Sequence, residues 1–106
     1  MNRIDARFQS LREKKQTACM PYITAGDPSL SKTGEIVLAL DRAGADIIEL
    51  GVPFSDPVGD GPVIQEAAQR ALARGATLPG ILQSVRRLRE KSQVPILLFS
   101  YFLPMA

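Results

Sequence analysis

Two carboxylates stand where parallel α/β proteins keep their chemistry. Glu49 is next to last in the apolar run Asp46-Ile47-Ile48-Glu49-Leu50, and Asp60 lies in the loop that follows. Side chains alternate along a strand, so Ile47, Glu49 and Gly51 share one side while Ile48 and Leu50 share the other. With Ile48 and Leu50 packed under helices, Glu49 points at the inner face of the sheet. A carboxylate there is costly unless it is paired or its pKa is raised, and a raised pKa suits a general acid or base working near neutrality. The competing reading is a Glu paired with a cation or placed at a wet strand end. Residue type and position leave the two level.

The loop from Gly51 to Pro62 is rich in Pro and Gly and carries Asp56 and Asp60. Fixed or special backbone angles at so many positions describe a loop that holds one shape. For an arbitrary loop of this kind the commoner outcome is a plain turn in which both Asp residues act as local caps. The functional alternative is that Glu49, at the strand end, and Asp60, in the loop beyond it, face one substrate. Tyr22 and Thr24 share a parity in the first apolar run, and Tyr101 closes the last one. An aromatic at such a place is more often core than substrate contact.

These residues need elements to position them, and the chain reads as strands separated by helices. Ile4, Phe8 and Leu11 mark a short leading amphipathic helix over residues 3–15. The run from Ala18 to Thr24 is a first strand, closed by Ala25-Gly26-Asp27-Pro28. A helix follows over residues 30–43, with Ile36, Leu40 and Ala43 on one face and Gly44 at the stop position. Residues 46–50 form a second strand. Pro62 suits the first turn of a helix running to Arg74, stopped by Gly75, and Thr77 caps another that aligns Ile81, Val85 and Leu88 as far as Lys91. The run from Pro95 to Tyr101 is a third strand. Nearly continuous apolar strands alternating with helices predict a parallel sheet covered on both faces, in a single domain. Periodicity alone leaves an open sheet and a barrel equally allowed. In both, ligands gather at the carboxyl ends of the strands.

Composition narrows the function. A net charge of +2, with basic residues scattered apart from Arg86, Arg87, Arg89 and Lys91, is poor material for a nucleic-acid surface, and that cluster reads as a solvated helix face beside Glu90. One cysteine, Cys19, and no histidine remove an internal disulfide and the usual zinc constellations, so no metal site is expected. The longest apolar run is far below the ~20 residues that span a bilayer, and the N-terminus has no signal core. A cytoplasmic protein without a membrane partner is expected.

The residues Pro21-Tyr22-Ile23-Thr24-Ala25-Gly26-Asp27-Pro28, Ala43-Gly44-Ala45-Asp46, Ile48-Glu49-Leu50-Gly51-Val52-Pro53-Phe54-Ser55-Asp56-Pro57 and Asp60-Gly61-Pro62-Val63-Ile64-Gln65 resemble the tryptophan synthase alpha chain family. The likeness extends over nearly the whole sequence, including Arg70-Ala71-Leu72 and Leu98-Phe99-Ser100-Tyr101. It implies a (β/α)8 TIM barrel that cleaves indole-3-glycerol phosphate into indole and glyceraldehyde 3-phosphate without a cofactor. It also implies that indole passes to a tryptophan synthase beta subunit in an assembly of two alpha and two beta chains. By position, Glu49 matches the family's general acid/base and Asp60 the acid that meets the indole nitrogen. Tyr22, Phe99 and Tyr101 match the indole pocket, and Pro53 and Asp56 match the loop facing the beta subunit.

Gly59 stands where the family usually has Ala, and Leu103 where a polar residue is common. A barrel of this kind takes roughly 250 residues and eight strands, so three strands predict the N-terminal part of one barrel domain over residues 1–106. Loops after strands seven and eight usually bind phosphate in such barrels. The resemblance therefore leaves two readings: a lyase when completed by the remaining strands, or an inactive truncated fragment that at most binds a partner. A third, another phosphate-handling barrel sharing only the architecture, is opposed by the motifs around Glu49 and Asp60.

Overall fold

The computed structural model describes residues 2–54 and 61–100. The first helix, α1 (Arg3–Lys14), is fixed at both ends by its own sequence. The Asn2 side chain accepts the Asp5 amide at 2.8 Å, and Lys15 turns left-handed so that its N–H reaches the Arg12 carbonyl. Then follow β1 (Tyr22–Thr24), α2 (Leu30–Arg42), β2 (Ile48–Gly51), α3 (Pro62–Ala73), α4 (Leu78–Leu88) and β3 (Ile96–Phe99). This is the expected order. Ser29 and Thr77 cap α2 and α4 with their hydroxyls, while Pro62 opens α3. Gly44 and Gly75 leave α2 and α3 with φ of 103° and 81°, angles that L side chains rarely adopt.

The three strands form one parallel sheet in the order β1-β2-β3. Register places Tyr22, Glu49 and Leu97 on one rung, and Thr24, Gly51 and Phe99 on the rung nearer the strands' carboxyl ends. The first strand is shorter than the run of residues 18–24 predicted. Pro21 has no amide hydrogen, yet its carbonyl still accepts the Glu49 amide at 2.9 Å, and the Cys19 carbonyl accepts from Asp46 and Ile47. Chain pairing thus continues below β1 without regular strand geometry.

One face of the sheet packs under α2 and α4. Ile48 is fully buried with Val37, Ala45, Leu88 and Val94, and Leu50 is buried with Ala25 and Ile81. Each large aliphatic side chain so placed contributes about 1.5–3 kcal/mol. The buried stripe of α2 differs from the expected one: Thr33 and Val37 are inside, Ile36 and Leu40 only half-buried, and Ala43 exposed. Thr33 tolerates burial because its hydroxyl donates to the Ser29 carbonyl at 2.8 Å and accepts the Gly26 amide at 2.9 Å. The stripe of α4, Ile81 to Leu88, is as expected.

Helix α1 is tied to the amino-terminal end of the sheet. Arg7 donates to the Ala45 and Asp46 carbonyls at 3.4 and 3.1 Å, and the Asp46 carboxylate accepts the Cys19 amide at 2.7 Å. Leu11 is buried, but Phe8, expected on the same packing face, is 39% exposed. Arg89 likewise departs from the solvated cluster predicted for it. Its guanidinium is half-buried and donates to the Val94 carbonyl at 2.7 Å; burial, then the charge of Arg3, lower its pKa. Arg86, Arg87 and Lys91 are exposed.

The sheet does not close. β1 and β3 are its two edges, and Leu97, Leu98 and Phe99 of β3 are exposed on both faces. No helix among the described residues is long and apolar enough to cross a membrane.

Candidate functional site

The face of the sheet turned away from α2 and α4 carries Tyr22, Glu49, Gly51, Leu97 and Phe99. Glu49 sits on the central strand, half-buried, with Tyr22 beside it on one edge and Leu97 on the other. Its backbone is held by the Pro21 carbonyl, and among the described residues no side chain pairs with or donates to its carboxylate. Cation pairing is therefore not seen here, and Glu49 is the second residue of β2, not next to last as expected, because the strand begins at Ile48 and continues to Gly51. The carboxylate is presented on the open inner face.

Aromatic side chains bound the same place. The Tyr22 ring leans along the strand direction and crosses diagonally over Gly51 toward Phe99, which meets it edge-on with centroids 6.2 Å apart and planes at 83°. Tyr22 and Phe99, from the two edge strands, thus come together above the central one. Ladder bonds beyond the strands stiffen this rim: the Ala25 amide reaches the Gly51 carbonyl at 2.9 Å, and the Val52 amide reaches the Phe99 carbonyl at 2.8 Å.

Helix α3 closes on the carboxyl end of β1. Gly26, at φ 91°, lies so near Ala71 and Ala76 that a methyl group there would stand 2.6 Å from the Ala76 Cβ. The Arg70 guanidinium grips the Asp27 carboxylate with two hydrogen bonds of 2.9 and 3.0 Å, and this bond chiefly raises the Arg70 pKa. The clasp fixes the helix that begins directly after the loop bearing Asp60. Sequence reasoning missed it, although glycine beside Asp27 and alanines along α3 were its signals.

Pro53 is half-buried just past β2. Asp56, Gly59, Asp60, Tyr101 and Leu103 lie outside the described residues. The structure accordingly brings Glu49, Tyr22 and Phe99 together, with Pro53 on the segment leaving β2.

This arrangement has close counterparts. Residues 8–106 match the family model described as "Tryptophan synthase alpha chain". The tryptophan synthase alpha chain of Citrifermentans bemidjiense is 60% identical over 105 residues, covering 99% of this chain and 39% of the relative. The crystal structure of tryptophan synthase subunit alpha from Legionella pneumophila superposes with a TM-score of 0.95 at 42% identity, over 99% of this chain and 40% of that one. A structure of the Pyrococcus furiosus tryptophan synthase a2b2 complex matches with a TM-score of 0.78 at 45% identity, over 83% of this chain and 35% of that one. The chain spans about two-fifths of the length of these relatives, and its open sheet with three parallel strands corresponds to part of their TIM barrel. By its matched residues and its fold, the chain belongs to the tryptophan synthase alpha chain family.

Proposed function

We propose that residues 1–106 form the N-terminal part of a single (β/α)8 barrel domain that cleaves indole-3-glycerol phosphate into indole and glyceraldehyde 3-phosphate. The observation that carries this reading is the place of Glu49: half-buried as the second residue of the central strand, on the inner face, between Tyr22 and Leu97 and one rung below the Tyr22–Phe99 pair at the carboxyl end. Glu49 acts as the general acid/base. It protonates the indole ring at the carbon bearing the glycerol chain, which places positive charge on the ring nitrogen. Removal of the proton from the adjacent chain hydroxyl then forms the aldehyde carbonyl, breaks the carbon–carbon bond and returns its electron pair to the ring. Asp60 accepts the ring N–H and stabilises the cationic stage. Tyr22, Phe99 and Tyr101 line the indole pocket, and no cofactor enters the chemistry.

Pro53 and Asp56 face a beta subunit, with which the complete alpha chain assembles two-plus-two in the cytoplasm. Phosphate binding is assigned to loops after later strands of the barrel, so cleavage belongs to the completed barrel. The exposed residues of β3 favour a second reading, in which the 106-residue span alone binds a partner without turning over substrate. Indole release from indole-3-glycerol phosphate separates the two. Turnover by the purified chain, lost in Glu49→Gln and Asp60→Asn, overturns the inert reading. Its absence even with beta subunit present supports it.

A further inference from the structure

We infer that Gly51 is a positioning residue: it seats the Tyr22 ring across the central strand, in the same column as Glu49, and so sets the aromatic wall against which a planar substrate ring packs. The inference rests on the reading given under Proposed function, and it adds a residue to which that reading gives no role. Tyr22 belongs to an edge strand, and its rung partner is Glu49, not Gly51. Its ring reaches Gly51 only by leaning one rung toward the carboxyl end, and there it fills the space a side chain would take. A Cβ at Gly51 would overlap the Tyr22 hydroxyl and stand 2.5 Å from Cζ and 3.0 Å from Cε2. All three of the nearest atoms among the described residues belong to this ring, so the space left by the absent side chain is the ring's.

The backbone does not itself demand glycine. Gly51 is outside the group of positive-φ glycines, which among the described residues holds Gly26, Gly44 and Gly75. It lies in extended strand, hydrogen-bonded on both sides, where alanine fits the chain. What glycine supplies is therefore the ring's place and not a turn. With the ring there, Tyr22 passes over the central strand to meet Phe99 with centroids 6.2 Å apart, and its hydroxyl lies over Gly51, two residues along the strand from Glu49. With the ring displaced, the two edge strands no longer share an aromatic contact and the space beside Glu49 changes shape.

The test is Gly51→Ala in the full chain, alone and combined with Tyr22→Ala, read by NMR and by titration with indole. Tyr101→Phe identifies the Tyr22 ring signals. Because the obstructing atoms are the swinging end of one side chain, Gly51→Ala should lower the melting temperature by less than about 4 °C. It should erase the Tyr22–Phe99 ring contacts and weaken indole binding at least about tenfold, a change of 1.4 kcal/mol or more. In the Tyr22→Ala background the same substitution should leave indole affinity unchanged, because the ring it displaces is gone. Persistence of the Tyr22–Phe99 contacts in Gly51→Ala overturns the proposal. So does an equal loss of affinity in both backgrounds, which marks a general effect on the strand. A wild-type chain that shows the ring contacts and their loss in Gly51→Ala, yet binds no indole, supports the seat and counts against the proposed substrate alone.

Discussion

Gly26→Ala is the perturbation whose magnitude the structure fixes most closely. Gly26 holds φ at 91°, and a Cβ there would meet the Ala76 Cβ at 2.6 Å, the Ala71 Cβ at 3.2 Å and the Ala71 Cα at 3.7 Å. Two costs arise. Holding a non-glycine residue in that backbone region takes about 1–3 kcal/mol. Overpacking against Ala71 of α3 and Ala76 of the segment that follows it takes about 1–3 kcal/mol more, because neither alanine has a rotamer to change. The sum, roughly 2–6 kcal/mol, is a large part of the roughly 5–15 kcal/mol by which domains are stable. Urea unfolding followed by circular dichroism reads it as a fall in midpoint of about 0.7 M or more, taking a slope of ~1–3 kcal/mol/M. Adding Ala76→Gly removes the nearest obstruction but not the strained φ, so the double variant should recover roughly half of the loss. A Gly26→Ala midpoint within about 0.3 M of wild type, or no recovery on adding Ala76→Gly, would refute the reasoning.

Other consequences are smaller or simpler. Ile48→Ala, in the centre of the core between sheet and helices, should cost about 2–5 kcal/mol in the same unfolding assay. Asp46→Ala strips the Cys19 amide and Arg7 of their shared partner at the base of the sheet and should cost about 1–3 kcal/mol, with faster hydrogen exchange at Cys19. Asp27→Asn weakens the clasp on α3; because Arg70 is exposed, its effect on the melting temperature should be modest at about 0.1 M salt and fade toward about 1 M.

The fold was readable where one local rule decides each feature. Capping residues and stop glycines placed the helices within a residue or two, except that α4 ends at Leu88, three residues before the expected Lys91, and strand parity put Glu49 on the face opposite Ile48 and Leu50. Legibility failed where a long side chain or a tertiary partner overruled residue type. Thr33 is inside because Gly26 and Ser29 satisfy its hydroxyl, which displaced the buried stripe of α2 from the more apolar Ile36 and Leu40. Arg89 left the basic surface because backbone carbonyls at Ser92 and Val94 receive its guanidinium. At the candidate site the parity of Tyr22, Glu49 and Gly51 was visible, but the crossing of Tyr22 over Gly51 was not. Rung pairing connects Tyr22 to Glu49, and only the direction in which the ring leans connects it to Gly51 and Phe99.

The central claim is that Glu49 performs proton transfer for carbon–carbon cleavage. Its most direct test is the rate of indole release from indole-3-glycerol phosphate by a chimera joining residues 1–106 to the remaining strands of the Citrifermentans bemidjiense relative, compared with the same chimera carrying Glu49→Gln. Loss of proton transfer should slow release by roughly 10²–10⁴-fold while indole affinity stays within about threefold. A Glu49→Gln chimera that releases indole within about threefold of its parent would contradict the account.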